Sequence, residues 1–148
     1  MILVSEEATA AFGAALGTIA RPGDVITLSG PLGVGKTALA RGLLAALGHV
    51  GEVPSPTFAI VQPYEALEPP VWHADLYRIE RPQELDEIGL ECAQDGLLLV
   101  EWPDRAGAGA WPNALRLTLD FADDGERRLT ADVPPAWEGR WPLPKSRR

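Results

Sequence analysis

A chain of 148 residues with 46% hydrophobic and 23% charged side chains can bury one sizeable core, and two domains would be a squeeze. Its formal net charge of -8 argues against a chain that grips a nucleic-acid backbone by itself, because phosphate binding rests on clustered Lys and Arg. The lone cysteine, Cys92, rules out an internal disulfide; with neither a charged-then-apolar leader nor a long apolar span at the N-terminus, a cytoplasmic protein without a membrane partner is expected.

Ser5, followed by Glu6 and Glu7, predicts a helix start, with a hydroxyl as cap and carboxylates at the positive dipole end. The Ala-rich run to Ala20 is the helix body. Arg21-Pro22-Gly23-Asp24 then turns the chain into a short β-branched strand, Val25-Ile26-Thr27-Leu28. The stretch SGPLGVGKTALARG, residues 29–42, reads G-x-x-x-x-G-K-[ST], a Walker A loop, with Gly30, Gly35, Lys36 and Thr37 at the fixed positions and Gly33 adding slack. Glycines let the backbone curl so that successive N–H groups face an anion at the positive end of the next helix. Lys36 then reaches the β- and γ-phosphates of ATP, and the Thr37 hydroxyl holds Mg²⁺. Gly30, Leu32, Gly33, Val34, Gly35 and Ala38 complete the expected phosphate-binding set. Eleven of the thirteen basic residues are arginine, and one of the two lysines is Lys36, where a compact charge on a flexible stem suits the slot. Leu39, Leu43, Leu44 and Leu47 recur at helical spacing up to Gly48, a natural end.

Downstream, Pro54 and Pro56 flank Ser55, and a β-favouring run extends from Thr57 to Val61. Thr57 is placed either as a switch residue bringing its hydroxyl to the γ-phosphate or as an ordinary strand threonine. Val71 to Asp75 reads as a strand that stops on a carboxylate. Pro82 fits a first helical position, with Leu85, Ile88 and Cys92 along one face, and Asp95-Gly96 ends that helix. Leu97 to Val100 is the unbroken apolar run of a strand buried on both faces, ending on Glu101. Leu115, Leu117, Leu119 and Phe121 alternate with polar partners, and Arg127 to Val133 returns as a hairpin. Residues 1–134 form the expected domain; 135–148 read as a proline-stiffened tail, whose Trp137 and Trp141 pack on the domain or on a partner.

Strands alternating with helices predict an α/β fold of the P-loop NTPase type, with a mainly parallel sheet flanked by helices and a C-terminal antiparallel hairpin at one edge. Ligands in such sheets sit at the carboxyl ends of strands, and Gly30, Asp75 and Glu101 all fall there. Asp75 has the placement of a Walker B carboxylate, or of an N-cap for the turn Leu76-Tyr77-Arg78. Glu101 approaches the metal or its water, or is a solvated loop charge. The candidate catalytic residues are therefore Glu101, Asp75 and Thr57, and the candidate metal ligands Thr37, Glu101 and Asp75.

GPLGVGKTALARG, PSPTFAIV, WHADLYRI, ELDEIGLE and LLLVEWPDR, in this order and at these intervals, resemble the bacterial TsaE (YjeE) family, the ATPase of the threonylcarbamoyladenosine tRNA-modification system. The resemblance runs from about residue 5 to 121 and departs from the family pattern at Pro31 and Val34, inside the loop. It implies ATP and Mg²⁺ held by Lys36 and Thr37, Thr57 in a switch-like loop, metal and catalytic duties for Asp75 and Glu101, and Trp102 close to the nucleotide. It further implies TsaB and TsaD as partners, with tRNA contacted indirectly and hydrolysis weak without them. Within this reading Glu101 lies nearest the metal and water, and Asp75 helps through the outer shell. A small-molecule kinase and a nucleotide sensor that does not hydrolyse ATP are the rival readings. The first needs a roomy lid, for which no insertion is long enough. GTP is disfavoured because no N-K-x-D segment exists. His49 and His73 have no partners at metal-ligand spacing, and Cys92 reads as core.

Overall fold

In the computed structural model, which describes residues 1–53, 61–84, 95–107 and 109–141, one mixed sheet organises the chain. Its strands are β1 (Ile2–Leu3), β2 (Val25–Ser29), β3 (Val61–Tyr64), β4 (Val71–Asp75), β5 (Leu97–Glu101), β6 (Leu115–Phe121) and β7 (Arg127–Asp132), in the spatial order β1-β7-β6-β2-β5-β4-β3. The four central strands, β6, β2, β5 and β4, run parallel. The expected hairpin is present, with β7 antiparallel to β6 and the two-residue β1 beyond it.

The opposite edge was not expected to be antiparallel. There β3 pairs antiparallel with β4 and includes Pro63, which lacks an N–H and is tolerated because the strand is at the edge. Of the strand expected from Thr57 to Val61, residues 57–60 lie outside the described residues, and the described strand begins at Val61. The helix expected to carry Leu85, Ile88 and Cys92 also lies outside them; Pro82–Glu84 forms a 3-10 turn ahead of it.

Helix α1 (Glu6–Ile19) starts as its sequence predicts: Ser5 Oγ accepts the Ala8 N–H at 3.0 Å, with Glu6 and Glu7 in the first turn. Helix α2 (Lys36–Ala46) packs closely on it. At Gly42 a Cβ would run into the carbonyl oxygen of Ala10, so the approach of the two helices depends on that bare backbone. Leu16, Leu39, Leu43 and Leu44 from these helices cover Ile26, Leu28, Leu97, Leu99, Leu115 and Leu117 of the sheet. On the other face Leu98 and Val100 join Ala74, Leu76 and Ile79, with Trp72 and Trp111 packed against them. Alternate residues of β5 thus feed two cores, which is why the run Leu97 to Val100 is apolar throughout.

Two expectations change at the hairpin and the chain end. Phe121 continues the alternation of β6 but is 54% exposed, because its cross-strand neighbour is Arg127, whose guanidinium lies 5.1 Å from its ring, and the core ends at Leu119. The boundary at 134 also moves: residues after it include the short helix α3 (Pro135–Glu138), and Trp137 is wholly buried in the main core. Arg140 lies 4.1 Å over the Trp137 ring and grips Asp24 through two hydrogen bonds of 2.6 and 3.0 Å, while Trp141 packs edge-on to Phe12. Among the described residues no helix is long and apolar enough to cross a membrane. Replacing Trp137 by Ala empties a filled core position, so Trp137→Ala should lower the free energy of unfolding by about 3–5 kcal/mol in urea titration, a loss that a loosely attached tail would not produce.

Candidate active site

The loop between β2 and α2 is shaped by backbone that few residues adopt. Gly30 has φ 145° with no room for a Cβ beside the carbonyl of Leu119, and Gly35, the residue preceding α2, has φ 120°. No side chain caps α2, so the first-turn N–H groups of that helix remain available to a ligand. From across the sheet, Arg127 Nε donates to the carbonyl of Val34 at 2.6 Å and Nη1 to that of Gly125 at 2.7 Å, tying the loop to the hairpin. Lys36 is 5% exposed; its ammonium donates to the carbonyl of Gly30 and sits 4.1 Å from the centre of the Trp102 ring. Burial pulls its pKa below the usual lysine value, and the nearby carboxylates of Glu101 and Asp75 pull it back.

Those carboxylates are neighbours because β4 and β5 pair in parallel with Asp75 opposite Glu101. Both are buried. Asp75 Oδ1 accepts the Tyr77 N–H at 2.8 Å, so the same carboxyl group caps the following turn and faces the cavity; the two sequence readings of Asp75 are compatible. Burial is the main cause that raises its pKa above the ordinary carboxylate value, Glu101 adds to the rise, and the Tyr77 N–H, His73 and Lys36 oppose it. Glu101 Oε2 accepts a hydrogen bond of 2.8 Å from Nε2 of the fully buried His73. The next residue, Trp102, has a left-handed backbone (φ 58°, ψ 52°), a conformation that costs a bulky residue about 1–3 kcal/mol. It turns the indole back over Lys36, and the ring packs on Tyr77 at 4.9 Å, with Arg105 over the Tyr77 ring at 5.6 Å.

A cavity of about 320 Å³ lies between loop, helix and strand tips. Of the residues singled out in the sequence, Leu32, Gly33, Gly35, Lys36, Thr37, Ala38, Asp75, Glu101 and Trp102 line it. Gly30 and Val34 do not: Gly30 turns its carbonyl to Lys36, and Val34 is buried in the core with its carbonyl held by Arg127. Thr57 lies outside the described residues. Four further residues line it: Glu6 reads only as part of a helix start, Thr9 only as helix body and Arg127 only as a strand, while Arg41 stands within the loop-and-helix stretch but outside the fixed positions of the motif. His73 could have been found, because it stands two residues before Asp75 and so on the same face of a strand.

The donor set fits a divalent cation of the Mg²⁺ kind. Among the described residues no cluster of three or more His, Cys, Asp or Glu side chains could cage a metal. Mg²⁺ takes one or two carboxylates and completes its shell with phosphate and water, and Thr37, Asp75 and Glu101 border one cavity as oxygen donors.

Sheet order, loop and strand-tip carboxylates define a P-loop type α/β protein. The family model described as "Threonylcarbamoyl adenosine biosynthesis protein TsaE" matches residues 3–129, and the chain belongs to that family. The tRNA threonylcarbamoyladenosine biosynthesis protein TsaE of Bacillus subtilis is 36% identical over 129 residues, covering 86% of this chain and 80% of that one. The protein of the same name from Haemophilus influenzae is 39% identical over 103 residues; the match covers 68% of this chain and 65% of that relative, just under two thirds. The crystal structure of Bacillus subtilis YdiB superposes with a TM-score of 0.82 at 30% identity, covering 99% of this chain and 93% of that one.

The raised pKa of Asp75 makes a prediction about stability. The folded state holds this proton more tightly than the unfolded chain, so its ionisation costs stability as pH rises through the ordinary aspartate value of about 3.9 towards the raised folded one. Asp75→Asn keeps the acceptor for Tyr77 and removes the charge. It should unfold at a higher urea concentration than the wild type at pH 7, with the difference shrinking as pH falls through the raised folded value and vanishing below about 4.

Proposed function

We propose that this chain is the ATP-binding and ATP-hydrolysing subunit required for threonylcarbamoyladenosine modification of tRNA, acting with TsaB and TsaD. The single observation that carries the hydrolytic part is the meeting, in one cavity, of Lys36 and the open end of α2 with the buried carboxylates of Asp75 and Glu101. The phosphates of ATP lie against the N–H groups of Gly33, Gly35 and the first turn of α2, where the helix end favours negative charge. Lys36 exchanges its contact with Gly30 for the β- and γ-phosphates, an exchange that its partial desolvation favours. Thr37, with Glu101 and Asp75, would hold Mg²⁺, which supplies charge neutralisation at the phosphates. Glu101, buried at the tip of β5, orients the attacking water and takes up its proton. Trp102 closes the cavity beside Lys36 and limits access of bulk water.

The pathway rests on the names that the relatives carry, and the partners on the family resemblance read in the sequence. The acidic net charge of -8 accords with tRNA reached through partner proteins. Phosphate release should be measured for the chain alone and with TsaB and TsaD, in wild type, Lys36→Ala and Glu101→Gln. Lys36→Ala is expected to weaken ATP binding about 10- to 100-fold, the loss of a charged contact worth roughly 1.5–3 kcal/mol. Glu101→Gln should bind ATP normally and hydrolyse it about 100-fold or more slowly. Phosphate transfer to a small acceptor, or ATP binding with no phosphate release under any condition, would overturn the proposal.

A further inference from the structure

Every polar group that touches the two carboxylates has a part in the reading above except one. His73 sits on β4 with its side chain on the same face as Val71 and Asp75, opposite Leu99 on β5. Its surroundings on that face, Val71, Leu97 and Leu99, are core leucines and valine, so an imidazole there costs desolvation that an aliphatic residue would not. It is 0% exposed, and Glu101 Oε2 is its polar partner among the described residues; Nδ1 has none there.

We infer that His73 is a positioning residue: by donating from Nε2 to Oε2 of Glu101 it fixes the rotamer of that carboxylate, leaving Oε1 free for the reaction water. The inference rests on the role proposed for Glu101. A glutamate has three side-chain torsions, and Glu101 shares the cavity with the Lys36 charge, which would draw an unrestrained carboxylate towards it. A hydrogen bond to a charged group, made inside the protein from a ring held by packing on all sides, is strong enough to select one arrangement. Asp75 has its own restraint in the Tyr77 N–H, so each carboxylate is held by a separate donor. Two carboxylates side by side would otherwise relax away from each other, and a base displaced by about 1 Å loses much of its efficiency.

The geometry of the ring sets the test. In place of His73, Gln carries its amide nitrogen to about where Nε2 stands, whereas Asn stops at the level of Nδ1. ATP turnover, with TsaB and TsaD present if they are required, is measured for wild type, His73→Gln, His73→Asn and His73→Leu, with ATP affinity by calorimetry and unfolding midpoints as controls. His73→Asn and His73→Leu should lower kcat about 10- to 100-fold with the ATP dissociation constant within about twofold of wild type, and His73→Gln should recover most of the rate. If Leu does not fold, the comparison of Gln with Asn, both polar, decides. Equal rates for Gln and Asn, wild-type turnover in Asn or Leu, or an affinity loss that matches the fall in rate would each overturn the inference. Should Glu101→Gln itself turn over like wild type, the role of Glu101 fails and this inference with it. A slow Glu101→Gln beside a fully active His73→Asn removes the inference alone.

Discussion

The site depends on the register of one strand pair. In the parallel pairing of β4 with β5, Asp75 lies beside Glu101, and a slip of one residue would turn one of the two carboxylates to the opposite face of the sheet. Two buried acids in adjacent positions repel, and each loses hydration. The fold offsets this from three different places: the charge of the Lys36 ammonium, the Tyr77 N–H that Asp75 accepts, and the His73 ring at Glu101. The arrangement costs stability in the empty protein and leaves the acids poised towards whatever cation enters.

The loop side of the cavity has a comparable dependence on packing. Helix α2 is aimed by its contact with α1, where bare backbone at Gly42 meets Ala10, and the loop ahead of it is held by Arg127 from the last strand of the sheet. A loop rich in glycine has little stiffness of its own. Its shape is imposed from outside, by the Leu119 carbonyl against Gly30 and the Arg127 guanidinium at Val34. The C-terminal hairpin, which looks like an accessory to a parallel sheet, thereby helps to shape the glycine-rich loop.

Trp102 links the two halves. Its left-handed backbone follows directly on Glu101, so the strain that turns the indole over Lys36 also fixes where β5 stops. A chain of contacts runs from Lys36 through Trp102 and Tyr77 to Arg105, from the cavity to the surface. The fold as a whole superposes on YdiB, and the chain belongs to the TsaE family.

Local chemistry determined a good deal of this from the sequence alone. A Ser cap with two acids behind it, a glycine-spaced loop ahead of leucines at helical spacing, and apolar runs that stop on acids are signals carried by neighbouring residues, and the structure has α1, β2, α2, β4 and β5 where they point. The sequence also bore the family pattern. What only the tertiary structure decided is every feature that joins residues far apart in the chain: Arg127 at the phosphate loop, His73 at Glu101, Glu6 and Thr9 at the cavity wall, and Trp137 in the core instead of a tail. None has a local signature, because a strand arginine, a buried histidine or a tryptophan after prolines is compatible with many surroundings. Long-range hydrogen bonds and burial are properties of the sheet order, and they exist only once the strands have paired.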